Sequence, residues 1–129
     1  MLVRRGDELL VLHRSERQGS YWHSVAGALE AGESWADAAA RELEEEVGLV
    51  ARPVEIAEPY TYSVDKFPDY RHRLPPGTKE ILVHNFVVDA PPGWEPRLDW
   101  EHDDYRWCTR DEALELLYWP EPKDVLRTL

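Results

Sequence analysis

Three glutamates, Glu42, Glu45 and Glu46, stand at positions i, i+3 and i+4. On a helix that turns about 100° per residue these positions share one face, so the carboxylates project from adjacent turns toward one place while Glu44 points elsewhere. Carboxylates a few ångströms apart raise one another's pKa, and the arrangement is costly unless a cation lies among them. An all-oxygen donor set favours a hard cation, Mg²⁺ or Mn²⁺. Taken alone, a glutamate-rich helical segment is most often a solvated acidic face.

The flanking residues change that reading. Gly27 is followed after five residues by Glu33, after seven more by Arg41-Glu42-Leu43, then after single-residue gaps by Glu45-Glu46 and Gly48-Leu49. Every fixed position of the Nudix box, G-x5-E-x7-R-E-U-x-E-E-x-G-U with U aliphatic, is matched, and the chain resembles the Nudix hydrolases. That resemblance implies an α/β (α+β) fold, an α/β/α sandwich with a mixed sheet carrying the box as a loop, helix and loop. It implies metal-dependent hydrolysis of a phosphoanhydride bond in a nucleoside-diphosphate-like substrate. Glu42, Glu45 and Glu46 would hold the metal, with Glu45 and Glu46 central. Glu33 would anchor the loop or assist the metal shell, Arg41 would orient a neighbouring glutamate, and Gly27 and Gly48 would shape the loops. Cations bridging phosphate oxygens neutralise developing charge and acidify the attacking water.

Outside the box, Tyr21 to Gly27, the loop Arg71-His72-Arg73-Leu74-Pro75-Pro76-Gly77, and Glu101-His102 with Tyr105-Arg106-Trp107 are similar to the bacterial dihydroneopterin triphosphate pyrophosphohydrolases. Many relatives have Pro-Gly where this chain has Ala26-Gly27. By this resemblance Glu101 joins the metal site or serves as general base, although beside Asp99, Asp103 and Asp104 it also reads as part of a surface acidic stretch. Arg71, Arg73 and Lys79 are the main local concentration of positive charge, suited to a triphosphate because arginine grips phosphate with paired hydrogen bonds, or simply to a soluble loop. Tyr60, Tyr62, Tyr70 and Trp107 offer faces for stacking on a pterin or nucleobase, yet aromatics at strand positions are more often core. His72 and His102 lack zinc-like spacing and suit polar contacts or catalytic support. Three readings stay open: a hydrolase of dihydroneopterin triphosphate or nucleoside triphosphates that releases pyrophosphate, a broader hydrolase of dinucleoside polyphosphates or nucleotide sugars, and a non-catalytic nucleotide-binding module.

The elements that must position these groups can be read along the chain. Leu2 to Arg5 and Glu8 to His13 flank Gly6-Asp7, predicting a β-hairpin. Met1 and Leu2 leave little chain before that first strand, which predicts a shortened edge strand. Tyr21 to Ala26 reads as a strand leading into the glycine loop. Ser34 with Asp37, and Gly48 at the far end, bound a helix from Trp35 to Val47 whose buried stripe is Ala36, Ala39, Ala40, Leu43 and Val47. Val50 to Tyr62 alternates imperfectly, Ile81 to Val88 is a stronger strand, and Tyr105 to Trp107 a short one. Thr109 and Glu112 cap a helix to about Tyr118, with a short third helix near Lys123 to Thr128.

With 129 residues, the span 1–129 is expected to be one domain with one site. The formal charge of −11 opposes nucleic-acid polymers and anionic membranes, leaving a small phosphorylated molecule as partner for a monomer or homodimer. Cys108 is the single cysteine, and there is no leader-like segment or apolar run of about 20 residues, so a soluble protein of the reducing cytoplasm is expected.

Overall fold

The computed structural model describes residues 1–63 and 76–129. The proposed phosphate-binding residues Arg71 and Arg73, together with Tyr70 and His72, lie outside the described residues.

β1 (Leu2–Arg5) and β2 (Glu8–Arg14) form the predicted hairpin, with Gly6 at φ +61° supplying the left-handed turn residue. β1 also pairs in parallel with β7 (Phe86–Asp89), and β7 with β4 (Val54–Glu55). The first strand is therefore interior to the sheet and not the edge that its position in the chain predicted. β2 pairs at its far end with β3 (Trp22–His23) and along its other side with β8 (His102–Cys108), giving a mixed six-stranded sheet. Of the strand expected over Tyr21 to Ala26 only Trp22–His23 pairs, and the expected Tyr105 to Trp107 strand extends at both ends.

The stretch Ile81 to Val88 is not one strand. It divides at His84-Asn85 into β6 (Glu80–Val83), which joins β5 (Tyr60–Ser63) in a separate two-stranded sheet, and β7 in the main one.

Period-two alternation along β2 divides the core. Leu9 and Val11 pack with Ala113, Leu117, Val125 and Leu126 on the side of α2 (Arg110–Leu116) and α3 (Pro120–Arg127). Leu10 and Leu12 pack with Leu43 and Val47 of α1 (Trp35–Val47) on the other. Each such fully buried side chain stabilises the fold by about 1.5–3 kcal/mol. The sheet lies between helical layers, the α/β/α sandwich that the box implied.

α1 has the expected limits. The Ser34 side chain accepts from the Asp37 amide, and Gly48 at φ +77° closes the helix by donating to the Glu44 carbonyl. Its buried stripe differs from the expected one. Ala38, Ala39, Leu43, Glu46 and Val47 are buried, whereas Ala36 and Ala40 are only half-buried. The helix is rolled so that one carboxylate of the acidic face turns inward. Thr109 and Glu112 form a reciprocal capping box on α2, which stops at Leu116, just before the expected Tyr118.

Candidate active site

Arg41 is the hub of the box. Its Nε donates to Glu33 Oε2 at 2.9 Å and its Nη2 to Glu33 Oε1 at 3.0 Å, a bidentate pair. Nη1 donates to Glu42 Oε1 at 2.8 Å and Glu45 Oε2 at 3.2 Å, and Nη2 also reaches the Ala28 carbonyl at 2.8 Å. Glu33 in turn accepts from the Glu30 amide at 2.9 Å, which ties the glycine-rich loop to the helix. Arg41, then the Glu30 amide, hold the Glu33 carboxyl below its ordinary pKa. At Gly27 an added Cβ would stand 1.9 Å from Glu42 Cδ, so any larger residue would drive that carboxylate from its place.

The three box glutamates do not share one environment. The Glu45 side chain is 58% exposed, whereas Glu46 is 3% exposed and Glu42 lies between them at the boundary. As predicted, Glu44 points elsewhere and is exposed. When Glu46 is ionised, neither of its oxygens has a hydrogen-bond partner among the described residues. Burial first, then the charges of Glu42, Asp99 and Glu101, push its pKa up to about 9, so that in the bare protein it carries a proton that it can donate to Glu42. Desolvation also raises the Glu42 carboxyl, against the pull of Arg41. Among the described residues no three acidic, histidine or cysteine groups are already gathered at metal-binding distances. Arg41 stands in the gap between Glu42 and Glu45 as their counter-charge.

β8 supplies the opposite wall. Its pairing with β2 slips between His13 and Arg14, so Asp103 is passed over, and Arg14 comes opposite His102. This brings Glu101, half-buried, to 4.0 Å from Arg14 Nη2 and close enough to raise the pKa of Glu46. The His102 ring is buried, with Nδ1 2.7 Å from Asp99 Oδ1 and Nε2 2.7 Å from His23 Nε2, and its Nε2 is 3.9 Å from Glu46 Oε1. The two facing Nε2 atoms share one hydrogen bond, in which one ring donates and the other accepts. Burial, and then the proximity of His102, drive the His23 pKa down to about 2, which keeps that imidazole neutral.

Sequence reasoning passed over His23 and assigned Asp99 to a surface stretch. The available signal was adjacency: Trp22-His23 and Glu101-His102 both fall inside the stretches that carried the second resemblance. Lys79 is exposed and lies just ahead of β6. Trp107 packs under the Arg5 guanidinium at 4.0 Å and edge-on to Trp94, while Tyr60 borders a cavity of about 230 Å³ beside Gly27 and Glu42.

A mixed sheet lies between helices, and a carboxylate-bearing helix is held by an arginine to its own glycine loop. The match is to the NUDIX domain over residues 1–129, and the chain belongs to the Nudix family. Enzymes of this family act on small phosphorylated substrates and generally use divalent metal ions.

Over 122 residues it is 43% identical to an octanoyltransferase of Myxococcus xanthus, covering 88% of this chain but only 30% of that protein. It is 30% identical over 118 residues to the dihydroneopterin triphosphate diphosphatase of Haemophilus influenzae, covering 85% of this chain and 70% of that one. In fold it is similar to the E. coli dihydroneopterin triphosphate pyrophosphohydrolase, with a TM-score of 0.83 at 24% identity over 99% of this chain and 91% of that one. Among the described residues no helix is long and apolar enough to cross a membrane.

Proposed function

We propose that this chain, a single domain over 1–129, hydrolyses dihydroneopterin triphosphate or a nucleoside triphosphate to the monophosphate and pyrophosphate, with Mg²⁺ as cofactor and Mn²⁺ able to replace it. The observation that carries the reading is Glu46: a buried carboxylate beside Glu42 whose oxygens, when ionised, have no hydrogen-bond partner among the described residues, in the helix of a complete Nudix box. Burying such a group is costly unless a cation completes it, and oxygen donors of this kind fit a hard divalent ion. Glu42, Glu45, Glu46 and Glu101 are the residues that would hold it. When bound, it neutralises phosphate charge and acidifies water for attack on phosphorus.

The chain's own groups have separate tasks. Arg41 aims Glu42 and Glu45 while clamping the loop through Glu33. Glu101 accepts the proton of the attacking water. Arg71, Arg73 and Lys79 meet the outer phosphates. The similarity to the H. influenzae diphosphatase supports the pterin substrate, while the octanoyltransferase similarity is confined to 30% of that protein. We place the chain in a reducing cytoplasm, as a monomer or homodimer; Cys108, its lone cysteine, is buried.

A hydrolysis screen with and without Mg²⁺ tests this, using dihydroneopterin triphosphate, nucleoside triphosphates, dinucleoside polyphosphates and ADP-ribose, with pyrophosphate and phosphate read separately. Pyrophosphate release from a triphosphate is expected. Turnover only of dinucleoside polyphosphates or ADP-ribose would discard the triphosphate assignment, and ligand binding without turnover of any compound would make the chain a binding module.

A further inference from the structure

Glu101 stands in the turn that leads from Asp99 into β8, and that turn is held from two sides. From β2, the Ser15 amide donates to the Glu101 carbonyl at 2.8 Å, and Arg14 Nη2 lies 4.0 Å from Glu101 Oε2. The Arg14 guanidinium is itself fixed, by the Gln18 side chain at 2.8 Å and the Gln18 carbonyl at 3.2 Å. Arg14 can therefore meet the carboxylate only while the turn keeps its place.

Within the turn, the backbone contact from the His102 amide to the Asp99 carbonyl is long, at 3.3 Å. The same two residues close the turn a second time through their side chains, with His102 Nδ1 2.7 Å from Asp99 Oδ1. The other ring nitrogen of His102 meets His23 Nε2 at 2.7 Å, and the two imidazoles stack with centroids 4.9 Å apart. The His102 side chain is fully enclosed, at 0% exposed, and stands 3.9 Å from Glu46 Oε1. Such a ring cannot swing without leaving buried polar atoms unpaired, and a satisfied buried network stiffens the segment that carries it. One imidazole thus ties the turn to β3 and sets it against the box helix.

We propose that His102, oriented by Asp99 and His23, is a positioning residue: it fixes the turn 99–102 so that the Glu101 carboxylate stays between Arg14 and Glu46. The inference deepens the proposed hydrolase reading and rests on it for the task of Glu101, which is to accept the proton of the attacking water.

Amide hydrogen exchange on the metal-free protein, and steady-state kinetics in Mg²⁺ with dihydroneopterin triphosphate and dGTP, test it. In His102→Ala the Ser15 amide should exchange about tenfold faster while the Leu10 and Leu12 amides of β2 keep their protection. Its kcat should fall about 10- to 100-fold with KM changed by less than about twofold, and His102→Asn, which keeps a donor for Asp99, should recover part of the loss. Because His102 acts through Glu101, the double variant His102→Ala/Glu101→Gln should turn over no more slowly than Glu101→Gln alone. Asp99→Ala, at the partly exposed end of the network, gives the same comparisons if His102→Ala fails to fold. Losses that multiply in the double variant, or a Ser15 amide as well protected as before, would overturn the inference and leave the hydrolase reading intact. Full turnover by Glu101→Gln would remove the task of Glu101 and the inference with it. If the unaltered protein hydrolyses no anhydride, the hydrolase reading falls, and faster exchange confined to Ser15 would still establish that His102 holds the turn.

Discussion

Arg41 grips both oxygens of Glu33, eight positions earlier in the chain, with contacts of 2.9 and 3.0 Å. The pair fastens the glycine loop to the helix, and the guanidinium nitrogen left over aims Glu42 and Glu45. Geometry, more than charge alone, is what this residue contributes.

Arg41→Lys keeps the charge and loses the fork. It should lower kcat about 10- to 100-fold, the usual effect of disturbing the residues that orient a metal site's ligands. Glu33→Gln, which keeps one acceptor, should lose less. Steady-state kinetics beside circular dichroism would decide; no loss from Glu33→Gln would mean that the loop anchor is dispensable.

The box glutamates should separate by role. Glu46→Gln or Glu45→Gln is expected to lower turnover by about 10²–10⁴-fold with the fold retained, while Glu44→Gln leaves it nearly unchanged, since Arg41 holds Glu45 and not Glu44. Comparable losses at all three would contradict the helical-face argument.

Glu46 also predicts a pH dependence in the metal-free protein. Its folded pKa of about 9 lies above the ordinary carboxylate value of 4.5, so the folded state holds a proton that the unfolded chain has released. Stability should therefore be full below about pH 4.5, fall between pH 4.5 and 9, and level off above, with a slope of at most about 1.4 kcal/mol per pH unit from this group. Glu46→Gln should flatten the decline in chelator-treated protein. Mg²⁺ should raise the melting temperature more at pH 8 than at pH 6, because the cation competes with that proton. Denaturant titrations across this range would show it, and an unchanged slope in the variant would assign the decline elsewhere.

Gly27→Ala places a methyl where Glu42 Cδ stands, 1.9 Å away. Overpacking of this kind costs about 1–3 kcal/mol. The Glu42 side chain must swing away, so activity should fall more than stability does. Retention of full activity would show that Glu42 is not needed in its present position.

The local elements were legible in the sequence because their signals are local. Ser34, Asp37 and Gly48 set the limits of α1, Gly6-Asp7 the first hairpin, and Thr109 with Glu112 the start of α2, since caps and turns are decided by backbone groups within a few residues. The resemblance implied that Arg41 orients a neighbouring glutamate and that Glu33 anchors the loop or assists the metal shell, but not that the two pair with each other.

What the tertiary structure decided is which of these groups is dry. Glu45 and Glu46 are neighbours in sequence and both belong to the box, yet one is exposed and the other buried against strand β8, more than fifty residues away. The same holds for the slipped register that brings Glu101 and His102 to the site, and for the break at His84-Asn85 that divides one apolar run between two sheets. Solvation and proton affinity depend on everything packed around a group, and no window of sequence contains that.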